Sequence, residues 1–144
     1  MKYRHLFGLF AVLSILLVVL AACGNNTNTT PSGSQEVQVT LNANTITSSV
    51  TTFAPGTVYH FVVTNKGQNA QEFAIMPMGT DMEHMSMNDI HKVALHMLDD
   101  IAPGMTMTFD YSFAQSMMRQ NFEFGCNSPE QNTGWMKLPI TVNQ

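Results

Sequence analysis

Two sulfur side chains near the end of the sequence could share one metal ion. Cys126 ends an alternating stretch in which it shares one face of a predicted strand with Phe122 and Phe124. Turn-forming residues follow, and Met136 lies ten positions after the cysteine, ahead of a second alternating stretch. A compact loop between two strands can bring its ends together. The pattern therefore predicts a thiol and a thioether, both soft donors, converging on one point.

A second group of soft donors lies in the middle of the chain. It consists of Met82, His84, Met85 and Met87. These residues alternate with acidic and hydroxyl side chains, which is typical of an exposed, solvated segment. Thioethers select Cu(I) over harder cations, so the cluster is a candidate site for Cu(I) entry or holding. Methionines also fill gaps in apolar surfaces, and the sequence leaves both interpretations open.

Short strands separated by turn signals must position these groups. Alternating or apolar stretches predict seven strands, near residues 37–41, 46–50, 59–63, 73–75, 107–113, 122–126 and 140–142. Strands of this length and spacing are typical of an antiparallel sandwich of two sheets.

A Met/His-rich insert, at about residues 77–101, contains a helix signal. Ser86 or Asn88 could cap the helix. The apolar positions follow the helical period and are Ile90, Val93, Ala94, Met97 and Leu98. We expect a helix over 88–99 that lies across the sandwich, with Met97 as core rather than ligand.

The N-terminal segment predicts export. Lys2 and Arg4 precede an apolar run over 6–20 that is short for a membrane span and ends in L-A-A-C at Cys23. This resembles the lipobox of bacterial lipoproteins, in which the cysteine becomes a lipidated N-terminus. A single-span anchor and an ordinary signal peptide are the alternatives. We expect a signal peptide over 1–22, a lipidated flexible tether over 23–35 and one domain over 36–144, anchored to the periplasmic or extracellular face of the cell membrane.

Composition excludes several function classes. The formal net charge is -4, and no basic patch suggests binding to nucleic acid. No Ser–His–Asp pattern or phosphate-binding glycine loop is present, so we do not expect an enzyme. Lipidation of Cys23 would leave Cys126 without a disulfide partner. That thiol is then either a metal ligand or a small buried apolar residue.

The order of motifs over 36–144 resembles bacterial cupredoxin-like domains related to plastocyanin and azurin. The motifs are V-V-T-N-K-G ending at Gly67, Q-E-F beginning at Gln71, A-P-G ending at Gly104, and C-x4-Q-x4-M ending at Met136. The resemblance implies an all-β, antiparallel β-sandwich of Greek-key type, with one short helix in the insert. It also implies copper as the usual metal, and electron transfer or copper handling as the usual role.

The chain departs from this family at both histidine ligands. They fall on Gln71 and Gln131, while Cys126 and Met136 are retained. A carboxamide oxygen is a harder and poorer donor to copper than an imidazole nitrogen. The resemblance thus implies a ligand set of two amides, a thiolate and a thioether that holds Cu(II) weakly. Alternatively, the sulfur atoms pack in the core and the glutamines hydrogen-bond to loop backbone.

Three functional hypotheses follow. The leading one is a membrane-tethered copper-binding protein that handles Cu(I) through sulfur donors, with a copper-trafficking or redox partner. The second is an interaction or structural module that has kept the sandwich and lost the metal. The third is a copper electron carrier that recruits histidines from the insert, namely His84, His91 or His96.

The lipid anchor gives the first testable prediction. Replacing Cys23 with Ser removes the atom that would carry the diacylglyceryl group, so the variant should stay unacylated and uncleaved. Intact-mass measurement and detergent partitioning check this. If the variant is cleaved and acylated like wild type, and partitions into detergent to the same extent, the lipid anchor on Cys23 is contradicted.

Overall fold

The computed structural model describes residues 33–129 and 134–143, which form two β-sheets packed face to face. In chain order the elements are β1 (Gln35–Leu41), β2 (Ile46–Ser48), β3 (Thr52–Phe53), β4 (Tyr59–Asn65), β5 (Gln71–Pro77), α1 (Met87–Val93), β6 (His96–Ile101), β7 (Thr106–Tyr111), a 3-10 turn (Gln115–Met117), β8 (Asn121–Asn127) and β9 (Met136–Val142). One sheet has the order β2-β1-β4-β7 and the other β3-β9-β8-β5-β6. The predicted all-β sandwich with one short helix is confirmed.

Most neighbouring strands run antiparallel. The exceptions are β1 with β4 and β3 with β9, which run parallel. Two strands were missing from the sequence prediction, β3 and β6. β3 has only two residues and β6 occupies a stretch with a helical pattern, so neither gives the period of a strand.

Aromatic rings fill the space between the sheets. The ring of Phe53 is fully buried, with centroids of four other rings between 4.9 and 6.0 Å away: Tyr59, Phe61, Phe113 and Phe124. Such edge and offset contacts stabilise a core beyond the apolar area they bury. This main core continues along β8 to Cys126, so a rigid apolar wall supports that thiol.

A second apolar cluster covers the outer face of the five-stranded sheet. Its buried members are Ala74, Met76, Met82 and Ile90, with Met85, Met87, Ala94, Met97 and Trp135 packed against them. Along β5 the side chains alternate between the two clusters, with Phe73 and Ile75 in the main core and Ala74 and Met76 in the second cluster, because successive residues of a strand face opposite sides. The insert therefore covers a face of the sheet that would otherwise be open to water.

The helix of the insert is shorter than the sequence predicted. Ser86 caps its N-terminus by accepting a hydrogen bond from the Asp89 N–H, and the helix ends at Val93 instead of continuing to 99. The chain then forms β6, which pairs with the edge of β5. Edge pairing satisfies the backbone of β5 and buries Leu98, so it overrides a local helical period. Val93 is 40% exposed, and Met97 is half-buried in the second cluster.

Several predictions fall on residues that the structure does not describe. They are the signal peptide, the lipidated Cys23 with most of the tether, and Gln131. Within 33–129 and 134–143, no helix combines the length and apolarity needed to cross a membrane.

Candidate metal centre

The predicted sulfur pair meets at the end of the five-stranded sheet. Cys126 lies on β8 and Met136 begins β9, and the two residues are direct cross-strand partners. Side chains of such partners share a face, with Cβ atoms about 4.5–5.5 Å apart. Cys126 is fully buried in the main core, and Met136 is half-buried against the same core. The structure thus brings the predicted thiol and thioether together.

Gln71 completes the described part of this site. It begins β5 and is 1% exposed. The Cys126 thiol donates a hydrogen bond to Gln71 Oε1 at 3.1 Å, and Gln71 Nε2 donates to the Asn42 carbonyl at 3.1 Å. The second bond fixes which end of the amide faces the thiol. Gln71 therefore contacts the cysteine where the family resemblance implies a histidine.

The turn between β4 and β5 fixes the position of the Gln71 side-chain amide. A Cβ at Gly67 would lie 2.5 Å from Gln71 Nε2, so only glycine leaves room for the amide. Buried Asn65 accepts from the Gly67 N–H at 2.7 Å and donates to the carbonyls of Asn69 and Ile101. From the sequence, Gly67 was noted only as the end of a motif, and the positioning role of Asn65 and Gly67 was missed. The match to the V-V-T-N-K-G motif was the available signal.

The surroundings keep the thiol protonated. Burial raises the pKa of Cys126 to about 12, and the negative charge of Glu72 adds to the effect. Burial also raises the pKa of Glu72 itself, whose carboxylate accepts from Asn127 Nδ2 at 3.4 Å. At neutral pH the side chain is therefore a thiol that donates to Gln71, and a metal ion must displace its proton in order to bind sulfur.

The Met/His cluster is arranged differently from the exposed segment that the sequence predicted. Met82 is 1% exposed because it packs on Gly125 of β8, while Met85 and Met87 are half-buried. His84 points into solvent, where its Nδ1 contacts both Asp81 carboxylate oxygens, at 2.9 and 3.0 Å. That hydrogen bond raises the pKa of His84. The histidine thus separates from the three thioethers.

The other histidines of the domain are engaged elsewhere. His91 Nε2 lies 3.6 Å from an Asp99 oxygen. The His96 ring stacks on Phe109 with centroids 3.8 Å apart, and burial lowers its pKa. His60 Nδ1 pairs with an Asp110 carboxylate oxygen at 2.7 Å. In the part of the chain that the structure describes, no three His, Cys, Asp or Glu side chains are grouped closely enough to hold a metal ion.

The donors at the Cys126 site fit Cu(I) better than Cu(II). They are a thiol, a thioether and one neutral amide oxygen, supplied by Cys126, Met136 and Gln71. Cu(I) accepts soft sulfur donors and low coordination numbers, whereas blue-copper Cu(II) sites use two imidazoles. The described residues supply no imidazole here, so the geometry does not fit a blue-copper centre.

Several solved structures share this fold. Reduced auracyanin from the photosynthetic bacterium Roseiflexus castenholzii matches with a TM-score of 0.55 and 16% identity, over 76% of this chain and 98% of that one. Auracyanin B matches with a TM-score of 0.58 and 15% identity, over 78% of this chain and 91% of that one. The azurin Az-iso2 from Methylomonas sp. strain J matches with a TM-score of 0.54 and 12% identity, over 77% of this chain and 99% of that one. The chain has a cupredoxin fold. Neither a protein-family model nor a curated protein sequence matches this cupredoxin-like chain.

The buried thiol gives a prediction about reactivity. At pH 8, a pKa of about 12 leaves roughly one thiol in ten thousand ionised, and the core shields that fraction. We expect iodoacetamide to label Cys126 at least about 100-fold more slowly in the folded protein than in urea, where the pKa returns to its ordinary value. Mass spectrometry of the Cys126 peptide measures both rates. Equal rates would show that the thiol is neither buried nor held protonated.

Proposed function

We propose that this protein is an exported, membrane-tethered cupredoxin-like copper-binding protein that holds Cu(I). The observation that carries the proposal is the direct cross-strand pairing of Cys126 with Met136 on the core side of β8 and β9. The cupredoxin fold of the solved structures it resembles agrees with copper as the metal. The N-terminal sequence supports export and a lipid anchor on Cys23.

The preference for Cu(I) follows from Gln71. Its amide oxygen faces the thiol, and its Nε2 is committed to the Asn42 carbonyl. The site therefore offers copper a neutral oxygen where an imidazole would stabilise Cu(II). Two sulfur donors meet the lower coordination demand of Cu(I) without further protein ligands.

In this proposal the protein groups do three things. Cys126 would release its proton to solvent and bind copper as thiolate, Met136 would add a thioether, and buried Gln71 would shield the sulfur from water. The buried aromatic core behind the site limits access from the other side. Such a site suits storage or transfer of copper rather than rapid change of oxidation state, so the partner we propose is a copper-trafficking protein.

A specific observation favours a second candidate, the metal-free module. The Cys126 thiol is already hydrogen-bonded and fully buried, so the Cys126–Gln71 bond could serve to lock β5 to β8. In that case the domain would act through its surface. The electron carrier with recruited histidines gains no such support, because His84 and His91 pair with carboxylates and His96 stacks on Phe109.

Copper titration tests the proposal. We expect wild type to bind Cu(I) at Cys126, in anaerobic competition with a chromogenic chelator, and Cys126→Ser to lose more than about 100-fold in affinity at this site. Between pH 6 and pH 8 the affinity should rise about tenfold per unit, because the thiol, with its pKa of about 12, must release a proton.

The matched control is Met105→Leu, since this methionine is 51% exposed and lies outside the main core that contains Cys126 and Met136. Its affinity and pH dependence should equal those of wild type. If Cys126→Ser keeps the affinity, stoichiometry and pH dependence of wild type while remaining folded, the metal-free module is the correct description of the Cys126 site.

A further inference from the structure

We propose a second Cu(I) site on the opposite side of β8, formed by the thioethers of Met85, Met87 and Met82 facing the indole ring of Trp135. This site goes beyond the Cys126 site and stands without it. It would bind a soft monovalent cation, Cu(I) or Ag(I), and exclude harder divalent ions.

The first observation is a cleft of about 500 Å³ on the outer face of the five-stranded sheet. Its lining includes Met82, Met85 and Met87, the three methionines of the predicted Met/His cluster, together with Trp135. The sequence placed these methionines near one another only along the chain. The structure makes them walls of one cavity and adds an aromatic residue from the other end of the domain.

The second observation is the contact between Met82 and Trp135 over Gly125. A Cβ at Gly125 would lie 3.0 Å from Trp135 Cε3 and 3.2 Å from Met82 Sδ. The thioether sulfur and the indole therefore lie beside each other on the bare backbone of β8. A side chain at this position would push them apart.

The cleft is held open by its surroundings. Lys137 Nζ donates to the Thr80 carbonyl at 3.1 Å, which ties the start of the insert to β9. The Ser86 cap fixes the first turn of α1, which carries Met87. Met82 serves as packing as well as donor, but Met85 and Met87 remain half-buried beside open space. Methionines that merely filled a gap would close it.

The chemistry of the lining matches a soft monovalent cation. Thioethers are neutral and bind Cu(I) well, and the face of an indole attracts cations. Glu83 lines the same cleft and supplies a negative charge that would balance the ion. Its carboxylate oxygen lies 3.4 Å from the position of a Cβ on Gly134, next to Trp135. His84 is not part of the site, because it turns outward to Asp81.

Trp135 makes the proposal directly testable, since it is the one tryptophan of the chain. In the full chain carrying Cys126→Ser, anaerobic Cu(I) titration should quench tryptophan fluorescence with saturation at one equivalent. The double variant Met85→Leu, Met87→Leu in the same background preserves apolar bulk while removing two donors. We expect it to weaken the quenching affinity at least about tenfold. Zn(II) should not quench in either protein.

Matched controls separate coordination from general effects. Met78→Leu and Met105→Leu remove thioethers that are each 51% exposed and outside the cleft lining, and should leave quenching unchanged. Gly125→Ala retains every donor residue but adds a Cβ that pushes Met82 and Trp135 apart, and it should also weaken binding. Quenching that is absent, or that is equal in the double variant and its parent, overturns the second site.

The two copper claims fail in different ways. If the proposed Cys126 function is wrong, Cys126→Ser does not change the Cu(I) affinity. If the second site is wrong, the double change at Met85 and Met87 does not alter the quenching of Trp135 fluorescence. If Cys126→Ser does not fold, the same methionine variants are compared in the wild-type chain. Equal quenching there contradicts the second site just as directly.

Discussion

The site depends on one buried hydrogen bond, from the thiol of Cys126 to the amide oxygen of Gln71. Its geometry requires the Asn42 carbonyl to hold the other end of the amide and Gly67 to leave it room. Residues of β5 and β8 and of the turns that follow β1 and β4 therefore have to meet within one small volume, and the packing of the two sheets brings them together. Because a buried polar group without a partner is costly, this arrangement also specifies the register of the strands.

Neighbouring residues of strand β8 face two different chemical environments. Cys126 faces the aromatic core, while Gly125 faces the methionine-lined cleft covered by the insert. The alternation of a strand separates a thiol from a thioether–indole site by the thickness of one sheet. The insert is thus more than a surface loop: it contributes α1, a sheet strand and the covering of an otherwise bare face. Both environments are rich in sulfur and poor in imidazole.

Sequence patterns predicted much of this and failed for physical reasons. Alternation and turn residues predicted β8, β9 and the meeting of Cys126 with Met136, because these depend on local period and short loops. The end of α1 was wrong, since pairing with the edge of β5 is a long-range interaction that outweighs a helical period. The prediction that Met82 is exposed was wrong as well. Its polar neighbours in sequence do not reveal that the side chain packs on Gly125 of a distant strand. Trp135 and Asn42 were missed for the same reason, and Gln131 stays a prediction.

The central claim is that an amide at position 71 makes this a Cu(I) site, and Cu(II) absorption tests it most directly. Wild type with one equivalent of Cu(II) should lack the intense thiolate-to-copper band in the visible. The double variant Gln71→His, Gln131→His should gain Cu(II) affinity and that band, because it restores the two imidazoles that such sites use. Each single variant keeps one amide and should remain without the band. A strong blue or green colour in wild type would contradict the account and show that imidazoles from elsewhere in the chain reach the copper.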